Sequence, residues 1–144
     1  MRGSPDGIGG SEMNEKSTID IITEWDIVAA RQIGRNIAKE IGFGTVDQAR
    51  ITTAISELAR NIYLYARAGE IVIEQIEEEE KKGISITATD KGPGIDDVRK
   101  VMEDGYSTSG GLGAGLPGVK RLMDHIEIQS LMGKGTIVKV EKWL

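Results

Sequence analysis

The chain has 144 residues, 39% hydrophobic and 28% charged, with a formal net charge of -5 at pH 7. That length predicts one domain around one core, and the acidic balance argues against a broad nucleic-acid surface. With no cysteine and a single histidine, His125, there is no disulfide framework, thiolate nucleophile or two-histidine metal site, so any metal must be held by oxygen, which points to magnesium.

No apolar run approaches the roughly 18 residues needed to cross a bilayer, so the chain reads as cytoplasmic with no membrane contact. Met1 to Glu12, rich in glycine and serine and without apolar period, read as an expression-derived or disordered leader, with residues 13–144 as the single folded domain. A first strand is predicted over Thr18 to Thr23. A helix follows over Glu24 to Ile41, with Ile27, Ala30, Ile33, Ile37 and Ile41 on one stripe, ended by Gly42 and Gly44. Thr45 then caps a second helix to about Ala66, whose buried face is Ala49, Ile51, Ile55, Leu58, Ile62 and Tyr65. Strands over Glu70 to Glu77 and Gly83 to Thr89 flank the charged run Glu78 to Lys82, a solvated hairpin turn.

After Asp90 come a glycine-containing turn, a short helix from Asp96 to about Glu103, and a stretch from Gly105 to Gly115 that is either a disordered loop or a functional lid. A third helix runs from about Pro117 to Met123. Strands over His125 to Leu131 and Thr136 to Trp143 close the chain, joined by a turn at Gly133 to Gly135. The implied architecture is a two-layer α/β sandwich, helices on one face of a mixed, mostly antiparallel sheet.

Three islands carry chemistry. Glu57 and Asn61, four apart on the second helix, project from one face, where a carboxylate can take the proton of an attacking hydroxyl and a carboxamide oxygen can hold magnesium. In isolation such a pair is more often two solvated polar residues. Asp90 ends a strand and precedes Gly92 and Gly94; an aspartate there can accept a hydrogen bond from an exocyclic amino group while the glycines let backbone approach a flat ring, which suits adenine, although a plain turn uses the same residues. Gly111, Gly113, Gly115 and Leu116 lead into a helix with proline in its first turn, which exposes amides to phosphate. Gly113 to Gly118 also fits a dinucleotide-binding spacing. That alternative fails because the segment does not leave a strand within a βαβ unit.

The order Glu-x-x-x-Asn, Asp-x-Gly-x-Gly, glycine-rich lid and Gly133 to Thr136 resembles the Bergerat-fold ATPases shared by gyrase, MutL and sensor histidine kinases. Thr23 to Arg31 and Ser107 to Gly118 resemble, within that superfamily, the RsbT-type serine/threonine switch kinases of bacterial stressosomes. The resemblance implies Glu57 as general base, Asn61 as magnesium ligand, Asp90 as adenine partner with Gly92 and Gly94 beside the ring, Gly113 and Gly115 as phosphate contacts, and Thr136 as a second polar contact near adenine. It implies ATP and magnesium as cofactors, a STAS-domain protein as substrate, and a downstream effector such as a PP2C-type phosphatase. Histidine autophosphorylation fits poorly, since His125 opens a predicted strand. The alternative within the superfamily is a nucleotide-gated binding protein of the anti-sigma-factor type, which shares the same pocket.

Overall fold

The structure, a computed structural model, describes residues 16–95, 98, 102 and 115–144. The leader Met1 to Glu12, most of the predicted helix Asp96 to Glu103, and Gly111 and Gly113 lie outside the described residues. Five strands are seen, β1 (Lys16–Ile21), β2 (Gly69–Glu78), β3 (Lys81–Asp90), β4 (His125–Leu131) and β5 (Gly135–Trp143), with helices α1 (Glu24–Ile41), α2 (Thr45–Asn61) and α3 (Leu116–Leu122). A π-helical turn, Ile62–Ala66, continues α2.

The strand order is β1-β2-β3-β5-β4, and every pairing is antiparallel. The two-layer α/β sandwich is as expected, but the sheet is not mixed. β4 runs parallel to β3, yet β5 folds back from β4 by a hairpin and inserts between them, so no parallel pair forms among the described residues.

The register explains the core. Ile19 and Ile21, Ile71 and Ile73, Ile84, Ile86 and Ala88, and Val138 and Val140 fall on one face of the sheet and are all buried. Against them pack Ile27, Ala30, Ile37 and Ile41 of α1 and Ile51, Ile55 and Leu58 of α2, each fully buried aliphatic side chain contributing about 1.5–3 kcal/mol. The start of α1 is set by the Asp26 carboxylate, which accepts the backbone N–H groups of Thr23 (2.8 Å) and Ile22 (2.9 Å). These bonds, Thr23 first, hold the Asp26 carboxyl below its ordinary value. At the other end Gly42, with φ 121°, turns the chain out of the helix.

Several expectations are corrected. β1 is Lys16–Ile21 rather than Thr18 to Thr23, because Ile22 belongs to the cap of α1 and is exposed. Gly44, not Thr45, occupies the N-cap of α2, and Ala49 is exposed while Thr52, Ala54 and Ala59 fill the buried face. The β2–β3 turn is only Glu79 and Glu80, both at positive φ; Glu77 and Glu78 face Lys82 and Lys81 across the ladder, where opposite charges favour extending the strands. α3 is Leu116–Leu122, one residue earlier than Pro117 to Met123.

Candidate functional site

A pocket opens at one end of the helical face of the sheet. α2 and the π-turn form one wall with Leu58, Asn61, Ile62, Tyr65 and Ala66, and α3 adds Leu116. The floor is Ala88 and Asp90 of β3 with Thr136 and Val138 of β5, and Pro93, Gly94 and Ile95 of the loop after β3 form the rim. The lining is mostly apolar, with polar groups supplied by Asn61, Asp90, Thr136 and the hydroxyl of Tyr65, the pattern of a small-molecule site that fixes its ligand's orientation through a few groups.

Asp90 and Thr136 are register partners across β3 and β5, so their side chains stand side by side. One Asp90 oxygen, Oδ1, accepts the backbone N–H of Gly92 at 2.8 Å, which closes the turn and aims the carboxylate. The loop is latched to the β4–β5 hairpin by Ser130, whose Oγ accepts the Ile95 N–H at 2.7 Å and lies 3.1 Å from the Gly135 carbonyl and 2.9 Å from Thr136 Oγ1. Pro93 adds a second latch, its carbonyl accepting the Gly133 N–H at 2.8 Å. The sequence reading had no role for Ser130. Its signal is there in hindsight: a hydroxyl on the inward side of β4, in line with Ile126 and Ile128.

The two glycines of the turn differ. Gly94 lines the pocket at φ 83°, where an added Cβ would overlap the Leu131 carbonyl oxygen, so a side chain fits neither the conformation nor the space. Gly92 is not in the lining; it packs on Ala66, where a Cβ would come 2.7 Å from the Ala66 Cβ, and so lets the π-turn close over the loop.

Asn61 is the last residue of α2, and its half-buried side chain has no hydrogen-bond partner among the described residues. Glu57, one helical turn before it, lies beside the pocket rather than in its lining. Arg60 Nη1 is 3.2 Å from Glu57 Oε1, and Oε2 faces Gly115. The donors present fit magnesium: one hard, neutral oxygen at Asn61 and, among the described residues, no cluster of three acidic or histidine side chains, which suits an ion held mainly by phosphates and water rather than by a protein cage. Glu57, Asn61, Asp90, Gly94, Gly115, Leu116 and Thr136 are therefore brought to one end of the sheet, with Gly92 just behind.

The model of the family "Histidine kinase-, DNA gyrase B-, and HSP90-like ATPase" matches residues 46–144, which include both walls and the floor of this pocket. The chain belongs to this family. Within it, the chain is 70% identical over 132 residues to serine/threonine-protein kinase RsbT of Bacillus subtilis strain 168, covering 92% of this chain and 99% of that protein. It is an RsbT-type serine/threonine-protein kinase of the ATP-binding fold. A more distant relative, the anti-sigma F factor of Caldanaerobacter subterraneus subsp. tengcongensis, is 31% identical over 121 residues, covering 80% of this chain and 83% of that protein. Solved structures agree on the fold. The RsbU and RsbW domains of Rv1364c from Mycobacterium tuberculosis align with a TM-score of 0.61 at 20% identity, over 90% of this chain and 32% of that one. The catalytic domain of histidine kinase ThkA aligns with a TM-score of 0.53 at 16% identity, over 88% of this chain and 97% of that one. Among the described residues of this kinase, no helix is long and apolar enough to cross a membrane.

Proposed function

We propose that this kinase transfers the γ-phosphoryl group of magnesium-ATP to a serine or threonine of a STAS-domain protein of the stressosome, in the cytoplasm. Transfer then acts as a partner switch, freeing the kinase for an effector such as a PP2C-type phosphatase. The observation that carries this reading is the 70% identity to RsbT over nearly the whole of both chains, which extends through α1 and β1 and so beyond the ATP pocket itself.

Asp90 accepts a hydrogen bond from the adenine amino group through the oxygen that Gly92 leaves free, with Thr136 beside it and Gly92 and Gly94 shaping the turn. Asn61 gives its oxygen to magnesium, whose charge offsets that of the phosphates. Gly111, Gly113 and Gly115 offer amides to the phosphates, and Leu116 packs at the pocket wall. Glu57 receives the proton of the acceptor hydroxyl as its oxygen bonds to the γ-phosphorus and the bond to ADP breaks.

A second reading, nucleotide-gated binding without turnover, is supported by the anti-sigma F factor at 31% identity. Incubating the protein with labelled ATP, magnesium and STAS-domain proteins separates the two. The kinase reading expects acid-stable phosphate on one serine or threonine of the STAS protein; nucleotide-dependent binding with no label transferred favours the alternative.

A further inference from the structure

We infer that Arg60 is a positioning residue for the reaction: it holds the Glu57 carboxylate in the orientation from which that group can receive a proton. The inference rests on the assignment of Glu57 as general base.

Two neighbours bracket the carboxylate. Arg60, three residues on along α2, places Nη1 at 3.2 Å from Oε1, and Gly115 lies against Oε2. A glutamate on a helix surface has three side-chain torsions and would otherwise sweep its carboxylate through solvent, whereas proton transfer needs it within hydrogen-bond reach of one hydroxyl. The pair is poorly placed to serve stability. Glu57 is 32% and Arg60 52% exposed at the side chain, and ion pairs so open to water stabilise a fold little. What the pair does accomplish is geometric. Arg60 engages one carboxylate oxygen and leaves the other, on the Gly115 side, as the acceptor.

Arg60 has a second neighbourhood. It lines a surface groove with Trp25, Val28, Tyr63 and Leu64, so one residue borders both that groove and the carboxylate. Lysine could supply the charge at this position but not the planar fork that fixes the angle of a carboxylate.

The test is a double-mutant cycle on transfer from magnesium-ATP to a STAS-domain protein that the parent phosphorylates, using Arg60→Ala, Glu57→Gln and both together. Arg60→Ala is expected to lower kcat about tenfold with the KM for ATP unchanged, Arg60→Lys to restore part of the rate, and added guanidinium to restore part of it in Arg60→Ala. In the Glu57→Gln background Arg60→Ala should cost nothing more. A parental kcat in Arg60→Ala, or losses that multiply in the double variant while Glu57→Gln alone is impaired, would overturn the role of Arg60 and leave Glu57 as base. A parental rate in Glu57→Gln would instead remove the base assignment, and this inference with it.

Discussion

Gly115, the residue before α3, lies so close to Glu57 of α2 that a Cβ on the glycine would overlap Glu57 Oε2. The backbone there, φ -86° and ψ -13°, is open to any residue, so what an added side chain meets is the carboxylate end of Glu57, a flexible group that can swing away. Gly115→Ala should therefore leave the fold intact and push Glu57 aside. The expected loss in kcat is on the order of a hundredfold, with the melting temperature nearly unchanged. A parental kcat in steady-state assays would show that the carboxylate tolerates displacement.

Asp90→Asn isolates the nucleotide contact from the turn. An asparagine oxygen can still accept the Gly92 N–H, so the loop should persist while the charged acceptor for the adenine amino group is lost. ATP affinity measured by calorimetry should fall by roughly 1.5–3 kcal/mol, and the parent should prefer ATP to GTP. Equal affinity for the two nucleotides would remove adenine from Asp90.

Ser130→Ala removes the latch between the loop after β3 and the β4–β5 hairpin and leaves the Ile95 N–H without its acceptor. The expected cost is about 1–3 kcal/mol by denaturant unfolding, accompanied by weaker ATP binding because Gly94 and Ile95 form the pocket rim. Loss of stability with parental ATP affinity would confine Ser130 to a structural role.

Acid stability depends in part on Asp26. Its carboxyl is held below the ordinary value by the N–H groups of Thr23 and Ile22, so its stabilising effect is complete above the unfolded value of about 4 and fades as pH falls through the lower folded value. Asp26→Asn should melt below the parent at neutral pH, and the gap should narrow as the solution is acidified. A gap constant with pH would contradict the capping assignment.

The parts of the fold legible in the sequence are those set by local signals. α1 runs over the expected Glu24–Ile41 because Asp26 caps one end and Gly42 ends the other, and β4 matches because apolar residues alternate along it. Glu57, Asn61 and Asp90 are legible as candidates because spacing and order carry them, and Thr136 only through the resemblance of Gly133 to Thr136 to the family's motif. The π-turn was not, since Ile62 and Tyr65 continue the apolar stripe of α2 whatever the hydrogen-bond register. Nor were the partners of Ser130, Gly92 and Gly115, because Ile95, Ala66 and Glu57 reach them only through tertiary packing.

The central claim is that one pocket binds ATP while Glu57 beside it performs the transfer, and Glu57→Ala tests it most directly. Single-turnover transfer from magnesium-ATP to the STAS-domain protein, measured with ATP affinity on the same preparation, should show a loss on the order of a hundredfold or more in rate and nearly unchanged affinity. Transfer at the parental rate would contradict the account.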